Sequence, residues 1–203
     1  MTHHNRLRSA WNRVDSGGAL RAKGGLHRAP PAWQDWLSDS GSLTKKIELA
    51  SAQRLEVIVL ADELQPVLPE ESRLFKKPLQ RCRVREVLLC VQGIPVVVAR
   101  SVIPSTSSGG HNRRILKLGN KPLGAVLFAN TYGISSKTVR HIARLNRKQA
   151  IWRACQKKYP GLPPQLWARR TMYFLNGHPL LVSELFLPGL LLLLAPPPTA
   201  NLL

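Results

Sequence analysis

The stretch NGHPLLVSELFLP, residues 176–188, decides the fold of this chain. Its Asn-Gly pair is the strongest short-range signal for a two-residue hairpin turn, and the apolar run that follows, bounded by prolines, predicts a β-strand. Glu184 is out of place in that run, because glutamate is almost never fully buried without a partner. Side chains alternate along a strand, so Glu184 shares one face with Val182 and Phe186. Three interpretations stay open: a functional carboxylate, a solvent-exposed strand position, or one half of a structural ion pair.

A second hairpin is predicted over residues 81–103, where the runs RCRVREVLLCV and IPVVVARSVI flank a Gln92-Gly93 turn. Such a pair of β-branched, apolar runs around a short glycine-containing turn is typical of two antiparallel strands. Alternation along the first run places Arg85 on one face and Glu86 on the other.

Arg85 and Arg100 lie on strands that we expect to be central in the sheet. A buried guanidinium needs an anionic partner. That partner is predicted to be Glu86 or Glu184, or else a ligand carboxylate, which arginine can bind through two parallel hydrogen bonds.

The remaining elements follow from the same periodicities. Antiparallel hairpins combined with helices in the first third and the middle of the chain predict an α+β domain. The expected elements are a Trp-rich helical patch near residue 36, a capped helix over 43–50, strands over 53–60 and 169–175, a long surface loop over 61–80, a helix or strand from Pro122, and a segment over 138–145 that fits either a strand or a helix.

Composition divides the chain into three parts. Residues 1–31 are basic and glycine-rich, which predicts a flexible N-terminal arm. Residues 32–188 form the predicted domain, and residues 189–203 are a Leu/Pro-rich C-terminal tail. We expect arm and tail to be dispensable for catalysis. The apolar run 185–195 is about half the length that a membrane-spanning helix needs, so no transmembrane segment is predicted.

The charge balance points to anionic partners. The chain has 203 residues and a formal net charge of +19, which attracts nucleic acid, an anionic membrane or a small anionic substrate. Charge alone does not choose among them, and no zinc pattern or RNA-binding motif is evident. The three cysteines show no CxxC spacing, which favours free thiols in a reducing cytoplasm over disulfides or a metal site.

Several segments together resemble the chorismate lyase (chorismate pyruvate-lyase) family: WLSDSGSLT, VREVLLC, ARSVIP with LGNKPLGAVLF, and GHPLLVSELFLP. Members of this family convert chorismate to 4-hydroxybenzoate and pyruvate, an early step that supplies the ring precursor of ubiquinone. The resemblance implies a single α+β domain with an antiparallel sheet of about six strands and helical flaps covering a buried ligand site. It also implies no metal and no organic cofactor.

The resemblance carries over to four site residues. Arg85 and Glu184 are the expected catalytic residues and contact substrate and product through their side chains, and Leu43 and Leu123 are expected to contribute backbone contacts. Leu43 is a departure, since a methionine is familiar at that place. Whether Glu184 acts as a base or only accepts a hydrogen bond from the ring hydroxyl stays open. Residues 157–164 look like an insertion relative to the family.

The expected partners are chorismate and 4-hydroxybenzoate, with no specific nucleic acid, and the protein is expected to be a cytoplasmic monomer. One alternative is a non-catalytic sensor of aromatic carboxylates, since similar domains occur in bacterial transcription regulators. No helix-turn-helix segment precedes the domain to support it. A second alternative is a nucleic-acid-binding protein, which rests on the charge of +19 alone.

Overall fold

The computed structural model describes residues 10–14, 26–75, 78–109, 115–128 and 138–193. Its strands are β1 Asn12–Val14, β2 Leu55–Pro66, β3 Arg81–Val91, β4 Ile94–Ile103, β5 Val139–Asn146, β6 Gln165–Leu175 and β7 His178–Phe186. Its α-helices are α1 Pro31–Ser38, α2 Leu43–Ser51, α3 Pro69–Ser72, α4 Leu123–Leu127, α5 Ala150–Lys158 and α6 Gly189–Leu192. Short 3-10 turns occupy Leu26–Arg28 and Ser105–Ser107.

The strands form one antiparallel sheet in the order β1-β5-β6-β7-β4-β3-β2. The strand that carries Glu184, β7, is therefore at the centre. Both predicted hairpins are present, and their turns use left-handed backbone at Gln92 and Gly93 (φ 50° and 75°) and at Asn176 and Gly177 (φ 50° and 77°). Positive φ at both central residues is the geometry whose twist matches that of the flanking strands. The predicted α+β class with an antiparallel sheet is confirmed.

The two faces of the sheet are covered by different helices. The front face packs against α1, α2 and α4, through residues such as Trp36, Ile47 and Leu127. The back face packs against α5 through Ile151 and Cys155. Side chains alternate between the two faces along each hairpin strand, and this alternation places Glu184 and Arg85 on the front face.

The sheet has seven strands where about six were predicted. The additional strand is β1, which pairs with β5 and comes from the predicted flexible arm. Trp11, just before it, is buried and packs under the guanidinium of Arg170, 4.3 Å from the ring centroid. Leu26 also lies in the front core. The arm therefore contributes a strand and core side chains, which its polar, glycine-rich composition hid.

Two other elements differ from expectation. Strand β2 continues to Pro66, through a bulge after Val59, into the stretch predicted as a loop. Its acidic residues looked like loop residues, but Asp62 pairs with arginines on β3. The ambiguous segment 138–145 is strand β5. No helix within the described ranges is long and apolar enough to span a membrane.

Helix α6 belongs to the packed fold, although it starts at the predicted boundary of the tail. Leu190 is 1% exposed and lies in the front core, whereas Leu192 in the same helix is 70% exposed. The fold therefore extends beyond residue 188.

We predict that Leu190→Ala lowers the free energy of unfolding by about 2–5 kcal/mol, because it removes a buried side chain and leaves a cavity. Leu192→Ala is the matched control and should change it by less than about 0.5 kcal/mol. Urea unfolding followed by circular dichroism measures both. Equal effects of the two substitutions would show that α6 is not part of the core.

Candidate active site

A narrow cavity of about 50 Å³ lies on the front face of the sheet, beneath the N-terminal ends of α2 and α4. We call residues 31–51 the first flap and residues 115–128 the second flap. All four predicted site residues line this cavity, although they come from four separate parts of the chain. The full lining is Leu43, Thr44, Arg85, Val87, Leu89, Ala99, Ser101, Pro122, Leu123, Gly124, Leu127, Phe128, Tyr173, Val182 and Glu184.

Glu184 is 8% exposed and forms an ion pair with Arg169 on the neighbouring strand β6. Arg169 Nε donates to Glu184 Oε2, and Nη2 lies 3.4 Å from Oε1. The sequence left open an ion pair with an unspecified arginine, and that arginine is Arg169; neither Arg85 nor Arg100, the two expected nearby, pairs with Glu184. Burial alone would lower the pKa of Arg169, but the carboxylate of Glu184 more than offsets it and leaves that pKa raised. The solvent-exposed interpretation of Glu184 is excluded.

Arg169 also holds the first flap. Its Nη1 donates to the carbonyl oxygens of Trp36 at 2.9 Å and Asp39 at 2.8 Å. These carbonyls are at the C-terminal end of α1, where the last turn leaves acceptors without intrahelical partners. One guanidinium therefore connects Glu184 to the flap above it.

Arg85 holds the second flap in the same manner. Its Nη1 donates to Asp62 Oδ2 at 3.1 Å, and its Nη2 donates to the carbonyl oxygens of Gly119 at 2.8 Å and Lys121 at 3.2 Å. The carboxylate beside it is Asp62, neither of the two glutamates predicted. Burial would raise the pKa of Asp62, but Arg83 and Arg85 more than offset this and leave it lowered.

The two flaps touch at Gly124. A Cβ atom at this position would come 3.3 Å from Ser42 Oγ and 3.5 Å from Thr44 Oγ1, so glycine permits the close approach. Leu43 and Leu123 are the first residues of α2 and α4. The N–H groups of a first helical turn have no intrahelical acceptors, which suits the backbone contacts predicted for these two leucines.

Arg100 is excluded from this cavity because it lies on the back face. It bridges two buried carboxylates, with Nε 2.8 Å from Glu71 Oε1 and Nη1 2.9 Å from Glu86 Oε1. Glu86 is one of the partners predicted for it, and Glu71 was missed. Despite the cost of burial, these carboxylates raise the pKa of Arg100. This network is structural.

A larger cavity of about 490 Å³ on the back face is a poorer site for an anion. Its described lining is apolar apart from Thr106 and His141. Burial lowers the pKa of His141 to about 4, and the charges of Arg170 and Arg13 act in the same direction. His141 is thus neutral at neutral pH, so the front cavity is the candidate active site.

The family model described as chorismate lyase matches residues 20–192. The chain belongs to the chorismate lyase family. A "Probable chorismate pyruvate-lyase" of Aromatoleum aromaticum is 41% identical over 167 residues, which are 81% of this chain and 89% of that protein. One of Methylococcus capsulatus is 35% identical over 160 residues, or 78% of this chain and 96% of that protein.

One solved structure with a similar fold is PhnF from Mycobacterium smegmatis. The TM-score is 0.53 at 14% sequence identity, and the alignment covers 74% of this chain and 65% of that chain. At this identity the likeness concerns the fold alone. The match to the chorismate lyase family also extends beyond both predicted domain boundaries, in agreement with the buried residues of the arm and of α6.

Sequence reasoning missed Arg169, although the signal was present. Arg169 and Glu184 are equally far from the Asn176-Gly177 turn, on its two sides. A hairpin with a two-residue turn places such positions directly opposite each other, and the two residues are indeed paired. It also missed Arg140 and Tyr173, which lie on the front face near Glu184. The strand assignment of residues 138–145 was ambiguous, so the facing of Arg140 could not be assigned.

We predict that the ion pair of Arg169 and Glu184 is strongly coupled. Arg169→Met or Glu184→Met alone should cost about 3–5 kcal/mol, since each leaves a buried charge without its partner. The double variant should lose clearly less than the sum of the two. Urea unfolding of all four proteins measures the coupling, and strictly additive losses would contradict it.

Proposed function

We propose that this protein is a chorismate pyruvate-lyase, which converts chorismate to 4-hydroxybenzoate and pyruvate. The observation that carries the proposal is that Arg85 and Glu184, from strands on either side of β4, line one covered cavity together with Leu43 and Leu123. These are the positions at which family members contact their product. Family membership and the names of the similar proteins support the same activity.

The cavity suggests one orientation for the substrate. Chorismate has a ring carboxylate at C1 and a hydroxyl at C4. The carboxylate binds Arg85. A guanidinium has five N–H donors, and Arg85 uses three hydrogen bonds for Asp62, Gly119 and Lys121, so donors are left for a ligand. The C4 hydroxyl donates to Glu184 at the other end. Apolar side chains such as Val87 and Leu127 pack against the ring between them.

The reaction needs little from the protein beyond this orientation. The bond from C3 to the ether oxygen breaks, the proton at C4 is lost, and the ring becomes aromatic. The enolpyruvyl group gains a proton at its methylene carbon and leaves as pyruvate. Aromatisation supplies the driving force, and well-oriented reactants gain on the order of 7–11 kcal/mol from positioning. Glu184 lies beside C4 in this orientation and, with Arg169 as its partner, fixes the hydroxyl and stabilises charge.

The product 4-hydroxybenzoate is the ring precursor of ubiquinone, so we place the reaction at the entry to that synthesis. The basic surface attracts dianionic substrate from solution, an effect that salt screens. We propose a monomer whose nucleic-acid binding is non-specific and salt-sensitive.

We predict that the wild-type protein releases pyruvate and 4-hydroxybenzoate from chorismate in equal amounts. Coupled detection of pyruvate and absorbance of 4-hydroxybenzoate measure this directly. Tight binding of 4-hydroxybenzoate without any turnover of chorismate would instead identify a sensor.

We predict that Arg85→Ala weakens transition-state binding by about 2–5 kcal/mol, because a desolvated carboxylate loses its partner. Both kcat/KM for chorismate and the affinity for 4-hydroxybenzoate should fall. Arg83→Ala is the matched control, since Arg83 binds the same Asp62 carboxylate but does not line the cavity. Similar kinetics of the two variants would remove Arg85 from the site.

The role of Glu184 must be tested with variants that separate an effect on turnover from an effect on stability. Glu184→Gln keeps the shape but leaves Arg169 buried without a full counter-charge, so we expect lower stability together with slower turnover. The double variant Arg169→Met/Glu184→Met removes both charges and should regain stability but not activity. Steady-state kinetics and thermal melts of both variants test this, and normal turnover in the folded double variant would contradict a role for Glu184.

A further inference from the structure

Arg140 is a buried arginine that the reaction described above does not use. It lies on β5 and is 9% exposed. Its Nη1 donates to the carbonyl oxygen of Ser38 at 3.2 Å, and its Nε lies 3.4 Å from Thr171 Oγ1, which is long for a hydrogen bond. No carboxylate of the described residues lies within ion-pairing distance of its guanidinium, in contrast to Arg169 and Arg85.

Arg140 has no directly paired counter-charge among the described residues. Burial lowers its pKa, and the positive charge of Arg169 acts in the same direction; Tyr173, Glu184 and Asp39 act in the opposite direction but do not offset these two effects. A buried cation without a paired anion is costly, and two weak hydrogen bonds compensate for little of that cost. An anion supplied by a ligand would remove the cost.

The strand register places Arg140 in line with Arg85. Arg140 is opposite Thr171, which is opposite Val182 on β7. On the other side, Val182 is opposite Ser101, which is opposite Arg85. These five residues form one row across the front face, with an arginine two strands away from β7 on each side. Adjacent strands are about 4.8 Å apart, so each arginine's backbone is roughly 10 Å from that of β7.

The substrate proposed above has a second carboxylate that needs a partner. It belongs to the enolpyruvyl group on C3, next to the C4 hydroxyl. With the ring carboxylate at Arg85 and the hydroxyl at Glu184, this group lies at the Glu184 end of the cavity. Two guanidiniums are near that end. Arg169 is occupied by Glu184 and two flap carbonyls, which leaves Arg140.

Building on the proposed function, we infer that Arg140 binds the enolpyruvyl carboxylate of chorismate. It thereby distinguishes the dianionic substrate from the monoanionic product, which lacks this group. Arg140 does not itself line the cavity, but Tyr173, which does, lies near both Glu184 and Arg140. Binding there replaces the weak contact to Ser38 and supplies the missing counter-charge.

The test compares one variant on two ligands. Arg140→Met should raise KM or lower kcat/KM for chorismate by at least about thirtyfold, and should change the dissociation constant of 4-hydroxybenzoate by less than about threefold. Arg140→Lys, which keeps the charge, should recover part of the loss. Arg144→Met is the matched control, because Arg144 is an exposed residue on the same strand and its loss changes the net charge equally.

The two affinities also separate this inference from the proposed function. Parallel loss of chorismate and 4-hydroxybenzoate binding in Arg140→Met would assign Arg140 a structural role, and no change in either would exclude it from the site. If the wild-type protein does not turn chorismate over, the proposed function fails. Calorimetric binding of intact chorismate to wild-type protein and Arg140→Met then still tests Arg140, with equal affinities overturning the inference.

Discussion

The structure depends on a charge pair at the centre of an otherwise apolar sheet. Glu184 and Arg169 face each other across β7 and β6, both nearly removed from water. Either charge alone would destabilise the fold in that position, because an unpaired buried ion costs several kcal/mol. The pair therefore fixes the carboxylate at the cavity and, through the carbonyl oxygens that the same guanidinium binds, fixes the first flap over it.

Charge is divided between the two faces of the sheet by the alternation of each strand. On the back face, the charge of Arg100 is balanced by two buried carboxylates, Glu71 and Glu86, so that network does not attract an anion. On the front face, Arg85 and Arg169 are paired with carboxylates, whereas Arg140 has none within ion-pairing distance among the described residues. In the proposed complex a dicarboxylate supplies the anion that Arg140 lacks, whereas a neutral molecule would leave Arg140 unpaired. The overall charge of +19 is thus less informative than its local arrangement.

The sequence was sufficient where local signals and burial agreed. Turns at Gln92-Gly93 and Asn176-Gly177 predicted both hairpins. The lone carboxylate in an apolar strand singled out Glu184, a central strand position singled out Arg85, and the family resemblance supplied Leu43 and Leu123; all four line the cavity. It failed where tertiary contacts decided the outcome. A three-residue edge strand such as β1 has no pattern of its own and depends on the burial of Trp11. The acidic end of β2 is a strand because of its arginine partners, which no local propensity encodes.

The flaps are attached to the sheet through main-chain oxygens: those of residues 36 and 39 on one side, and of 119 and 121 on the other. Every amino acid carries such an oxygen, so replacing a side chain at these four positions leaves the attachment chemically intact. Exposed residues of the flaps can consequently be replaced, while the guanidiniums that hold the flaps cannot. Mutational tolerance is therefore expected to be unequal, high at exposed flap positions and low at Arg85, at Arg169 and at flap residues packed in the core, such as Trp36 and Leu127.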